Sequence, residues 1–194
     1  MFHPKTKTPL PLLAICVCLI AVGPGPHEAY GTPLASSNNR LDGLEPDARV
    51  RLNAAVREMR RRGIRPRVNS AFRSRAEQQA IYNCAHNRRC RARRGIYGAR
   101  RPGTSMHEAG LAVDIGGVAG GRRHRRLTPK GRQVVRIMHR HGFAWRYGLK
   151  DPAHFEVSPR HAGYRTEQAA IRAGQRRWLA SHRARRRAAR SRYA

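Results

Sequence analysis

The segment Ser105-Met-His107-Glu-Ala-Gly110-Leu-Ala-Val-Asp114 is followed by Asp151-Pro-Ala-His154-Phe-Glu156, with His154 lying 40 positions beyond Asp114. Together they hold four of the chain's 11 carboxylates, in a sequence that carries 41 Lys and Arg. Two imidazoles and one carboxylate, His107, Asp114 and His154, make a three-ligand set that leaves a fourth zinc position open for water. A zinc ion so held lowers the pKa of that water to about 7 and polarises a carbonyl under attack. The spacing places His107 on a turn entering a strand that ends at Asp114, with Gly110 allowing the tight path between them. His154 then starts a neighbouring strand, so the three side chains converge on one end of a sheet. Asp151, three residues before His154 and held by Pro152, is placed to take a proton from the water. Glu108 and Glu156 read as a loop charge and a strand residue, outside the catalytic set. His124, His139, His141, His161 and His182 sit among arginines with no acid nearby and receive no role.

The surrounding pattern predicts an α+β domain, a small antiparallel sheet flanked by helices. From Pro46 to Arg62, Leu52, Val56 and Met59 recur at helical spacing, and Gly63 stands where a helix ends. Ile64 to Phe72 reads as a strand. Ser74 and Glu77 form a capping box that opens a helix through Gln78, Ile81 and Tyr82. Ala85 to Pro102 has no period and reads as a loop. Leu111 to Ile115 is a short strand. Thr128-Pro129 caps a helix that buries Val134, Val135, Ile137 and Met138 and stops at Gly142. Phe143 to Trp145 and His154 to Val157 are the last two strands. Thr166 to Arg192 reads as a helix with Ile171, Trp178 and Leu179 apolar and arginine nearly everywhere else.

The N-terminus reads as a targeting segment. Lys5 and Lys7 precede an apolar run from Leu10 to Val22, shorter than a membrane span of ~20 residues. Residues 1–23 are thus a signal peptide or an uncleaved anchor, and the large residues before Cys16 and Cys18 disfavour lipoprotein processing. Residues 24–40, rich in Gly, Pro, Ser and Asn, are a linker. In an exported chain Cys84 and Cys90, six apart in a polar stretch, form a local disulfide. The rival zinc pair lacks a second Cys pair to complete a four-ligand site. Export would put the protein in the periplasm or cell envelope, either anchored or secreted.

The formal charge of +30 draws the chain toward polyanions without selecting one. The arginines of residues 165–194 suggest a basic helix on an anionic envelope polymer or lipid surface. A solvated tail, or a helix packed back through Trp178 and Leu179, is the plainer alternative.

S-x-H-x-x-G-x-A-x-D with a distant D-x-x-H-F-E resembles the signature of the M15 zinc peptidases. These belong with D-Ala-D-Ala carboxypeptidases, L-alanyl-D-glutamate endopeptidases, lysostaphin and the hedgehog domain. Ser70-Ala-Phe72-Arg73-Ser74, with Gln78 and Ile81-Tyr82, resembles a third stretch of the family, and the likeness runs from Leu41 to Val157. The resemblance implies a hedgehog-like fold over residues 41–164 and one zinc ion per chain on His107, Asp114 and His154. It implies Asp151 as catalytic base, Arg73 on the oxyanion or the substrate carboxylate, and Ser105 and Gln78 as substrate contacts. The implied substrates are peptidoglycan stem peptides; the chain is expected to act as a monomer. D-x-x-H matches the endopeptidases and the short span from Trp145 to Asp151 does not, so the bond cleaved stays open.

Two other classes compete. A non-catalytic zinc domain of the same fold would bind cell wall, but it has no use for Asp151. A basic nucleic-acid-binding protein fits the charge. It does not fit the exported N-terminus, the 6% aromatic content or the want of a reading motif.

Overall fold

A computed structural model describes residues 41–96, 98–120 and 126–191. The expected signal segment and linker, with Cys16, Cys18 and His124, lie outside the described residues. The first helix, α1 (Pro46–Arg61), has Pro46 in its first turn and Glu45 as its cap. The Glu45 carboxylate accepts from the amides of Asp47 and Ala48 at 2.9 and 3.2 Å, satisfying donors that a helix start leaves free. Ala48, Leu52, Ala55, Val56 and Met59 form its buried stripe.

Strand β1 (Val68–Ser70) leads to α2 (Arg75–His86), which opens on the expected Ser74/Glu77 capping box. The strand expected from Ile64 to Phe72 is thus only three residues long. Pro66 has no N–H for a ladder, and past Ser70 the chain turns to other partners: Ala71 O meets His107 and Arg73 N donates to His107 O.

A second correction concerns the stretch expected as a loop, which contains a helix, α3 (Arg88–Arg94). Asn87 caps it by accepting from Cys90 N at 2.9 Å, and Gly95 ends it in the left-handed region. Arginine is a good helix former, so a run without apolar period still coils when it is capped and stapled. The staple is the Cys84–Cys90 disulfide, with Cα atoms 5.1 Å apart.

Helix α4 (Met106–Ala109) is a single turn, followed by β2 (Ala112–Ile115). A small hairpin of β3 (Ala119–Gly120) and β4 (Arg126–Leu127) precedes α5 (Pro129–Arg140), which buries the four residues expected of it. Strand β5 (His154–Glu156) and the long α6 (Glu167–Ser191) complete the described chain.

The main sheet is antiparallel in the order β1-β2-β5, with β2 central. Its register sets Asp114 opposite His154, Val113 opposite Phe155 and Ala112 opposite Glu156. With a period of two, Val113, Ile115 and Phe155 point into the core while Asp114, His154 and Glu156 share the other face. The strand expected at Phe143–Trp145 reduces to one bridge, Ala144 with Glu156. Trp145 N turns instead to His139 Nε2, at 3.3 Å.

The Arg-rich stretch set apart from residue 165 is, over its first half, part of this domain. Ala170, Ile171 and Gly174 of α6 are buried, and the Trp178 ring lies 5.2 Å from that of Phe72. The helix does pack back, through Trp178 but not through Leu179, which is 51% exposed.

Gly110 couples the site helix to α1. Its φ is +74°, its carbonyl accepts from Glu45 N at 2.9 Å, and a Cβ there would stand 2.6 Å from Gly43 O. Gly110→Ala therefore combines backbone strain with a backbone clash. It should lower the unfolding free energy by about 2–4 kcal/mol, read from denaturant midpoints.

Candidate metal centre

The helix carrying His107 is too short to hold itself, so its contacts position it. Buried Glu108, 0% exposed, binds Arg75 Nε at 2.6 Å and Gly103 N at 2.7 Å. This corrects its reading as a loop charge: Glu108 anchors the turn that bears His107.

His107 Nδ1 donates to Ala71 O at 2.6 Å, which leaves Nε2 facing Asp114 Oδ1 at 3.2 Å. His154 Nε2 donates to Glu156 Oε2 at 3.0 Å, which leaves Nδ1 facing the same Oδ1 at 3.3 Å. The other oxygen, Asp114 Oδ2, accepts from Arg73 Nη2 at 2.8 Å. One ligand atom from each of the three residues lies within 4.8 Å of the others. Both outer imidazole nitrogens are committed, so two nitrogens and one carboxylate oxygen face a common space. That donor set, with its outward N–H groups fixed by a carbonyl and a carboxylate, suits zinc.

The electrostatics match. Burial holds His107 below its ordinary pKa. Burial works against Asp114's charge too, yet His107, His154 and Arg73 outweigh it and keep that carboxyl well below the usual range. For His154, burial lowers the pKa, but Asp114 and Glu156 overcome it and push it up to about 9. The pocket thus favours a positive charge between its carboxylates. Asp151 is held above its ordinary value, first by lost solvation and then by the charge of Asp114. It sits at the exposed rim, and its backbone carbonyl accepts from His154 N at 3.2 Å.

Arg73 is partly committed: besides Asp114 it donates to Ser70 Oγ at 2.9 Å and to Gln78 Oε1 at 3.4 Å. The expected substrate contacts Gln78 and Ser105 lie below the surface. Both are buried, 1% and 3% exposed. Gln78 uses both ends of its amide, donating Nε2 to Arg100 O at 2.7 Å, and so supports Arg73 from behind. Ser105 is the N-cap of α4.

Two residues went unrecognised in the sequence. Glu156, taken as a strand residue, holds His154 and is itself held by Arg146 Nη1 at 2.8 Å. Positions i and i+2 of a strand share a face, so H-F-E carried the signal. Tyr147 packs its ring 5.1 Å from that of His154, and its hydroxyl accepts from Arg100 Nη1 at 2.7 Å. Only the fold brings Arg100 there, and no spacing foretold it.

A helix-flanked antiparallel sheet with a His/Asp/His cluster and a carboxylate at its rim defines an α+β domain with a candidate metal centre. Residues 42–167 match the family model described as VanY: D-alanyl-D-alanine carboxypeptidase, and the chain belongs to that family. Solved structures similar to it include VanYB in complex with D-alanine-D-alanine: 24% identity, TM-score 0.44, 62% of this chain and 75% of that one. A mutant of the D,D-pentapeptidase VanY from a VanB-type vancomycin resistance cassette, in complex with Zn(II), aligns at 24% identity and TM-score 0.43. That alignment covers 68% of this chain and 78% of the other. The LD-carboxypeptidase LdcB aligns at 21% identity and TM-score 0.42, over 62% of each chain. No curated protein matches the chain.

The raised pKa of His154 fixes a pH signature for metal-free protein. Stability from its protonated form is complete below pH 6.5 and disappears as pH rises through about 9. Roughly 3 kcal/mol should be lost over that window, seen as a falling urea midpoint, whereas zinc-loaded protein should lose little. Glu156→Ala should weaken zinc binding by about 10–100-fold, measured by chelator competition.

Proposed function

We propose that this chain is a zinc peptidase that hydrolyses peptidoglycan stem peptides, at a D-Ala-D-Ala or an L-Ala-D-Glu bond. The observation that carries the reading is the convergence of His107 Nε2, His154 Nδ1 and Asp114 Oδ1 beside an independent carboxylate, Asp151. One zinc ion held by the three would lower the pKa of water and polarise the scissile carbonyl. Asp151 takes the proton of the attacking water as its oxygen bonds to the carbonyl carbon. When the C–N bond breaks, Asp151 returns that proton to the departing amine. Its raised pKa brings its affinity for the proton nearer to what both transfers need. Arg73, by holding Asp114 Oδ2, keeps Oδ1 turned to both histidines. Its remaining N–H groups stabilise the oxyanion or the substrate carboxylate.

The reading extends to place and partners. The apolar run from Leu10 to Val22 supports export to the periplasm or envelope, cleaved or anchored. Beyond Leu179 the side of α6 is exposed and rich in arginine, which supports contact with an anionic envelope polymer or lipid surface by a monomeric enzyme.

His154→Ala should abolish both bound zinc and muropeptide cleavage. Asp151→Asn should keep zinc while kcat falls at least about 100-fold. Mass spectrometry of the digests identifies the bond. Wild-type protein that binds zinc and leaves every muropeptide intact would make this a wall-binding module instead.

A further inference from the structure

The family match ends at Glu167, the first residue of α6, yet the metal centre leans on the remainder of that helix. A one-turn helix leaves its last carbonyls without intrahelical partners. In α4 those of Glu108 and Ala109 are taken by α6. Gln175 Nε2 donates to Glu108 O at 3.0 Å and to Arg73 O at 3.1 Å, while its Oε1 accepts from Arg75 N at 2.9 Å. Arg177 Nη2 donates to Ala109 O at 2.9 Å. The approach is close enough to require glycine: a Cβ at Gly174 would stand 2.5 Å from Glu108 O and 2.7 Å from Ala109 Cα. Glycine inside a helix costs about 1 kcal/mol relative to alanine, so the contact is maintained against propensity.

These bonds join two segments that meet at the centre. One carries His107; the other carries Arg73, whose guanidinium holds Asp114. Both N–H groups of the Gln175 amide are used, and its orientation is fixed because only a donor fits between two carbonyls. We propose that Gln175 is a positioning residue of the metal centre: α6 acts as a latch that sets His107 and Arg73 relative to Asp114. The latch rests on the zinc reading above, but not on the identity of the bond cleaved.

Gln175→Met keeps the side chain's length and removes all three hydrogen bonds. Zinc affinity, measured by chelator competition, should fall about 10–100-fold. The visible bands of the Co(II)-substituted protein should shift, and kcat should fall with KM nearly unchanged. Gln175→Glu should be worse on every count, because its carboxylate meets two carbonyl oxygens. A role in stability alone would lower the melting temperature and leave the Co(II) spectrum and zinc affinity at wild-type values; that result overturns the latch. Weakened zinc binding in Gln175→Met supports the latch even if the wild type cleaves no peptide, in which case only the peptidase reading fails.

Discussion

The Asp114 carboxylate is the point on which the rest of the centre turns. One oxygen faces both histidines and the other is held by Arg73. A carboxylate in a mostly buried position survives only if its charge is met, and here three cationic or polarised partners meet it from three segments of the chain. The central strand of an antiparallel sheet suits that task. Its neighbour β5 delivers His154 directly opposite, and the chain after β1 delivers Arg73. The core beneath, from Val113, Ile115 and Phe155, fixes the strand register and hence which face the carboxylate takes. A slip of one residue would turn Asp114 into that core and disperse the centre.

His107 is the weaker joint, because it stands on one turn of helix. Its support comes from outside that turn: Ala71 O beneath the ring, the buried Glu108 bound to Arg75 and Gly103, and Gly110 against the cap of α1. A buried carboxylate beside His107 is expensive to seal unless each oxygen is bonded. Both of Glu108's are.

This division explains what the sequence revealed. That His107, Asp114 and His154 come together was legible because ligand chemistry restricts residue type and the motifs keep fixed spacing. α1, α2 and α5 were legible from caps and stripes that act within a few residues. The true extents of β1 and the Phe143–Trp145 strand were not, because ladder length depends on which partner a backbone group finds, and Ala71 and Trp145 find side chains. Helix α3 was missed because arginine supplies propensity without a hydrophobic period. Glu108 looked like a loop charge because its partners, Arg75 and Gly103, are distant or unremarkable in sequence. Glu156 was within reach of the strand period. The roles of Tyr147 and Gln175 were not, since each depends on contacts across 47 and 67 positions respectively.

A chain of formal charge +30 is a poor host for a divalent cation if its charges act together. They do not, because exposed charges more than about 8–10 Å away are screened at physiological ionic strength. What a cation meets in the pocket is the local set: Asp114 and Glu156 in contact with the histidines, and Asp151 coupled through space. Of the opposing charges, Arg73 and Arg146 are each bonded to one of those carboxylates. That pairing leaves Asp114 Oδ1 directed at the nitrogens of His107 and His154, and Glu156 Oε2 directed at His154. The scarcity of acids elsewhere then gains a physical meaning. A basic surface favours polyanions at long range, whereas inside the pocket Asp114 and Glu156, each with an arginine behind it, set the field that a cation would meet at short range.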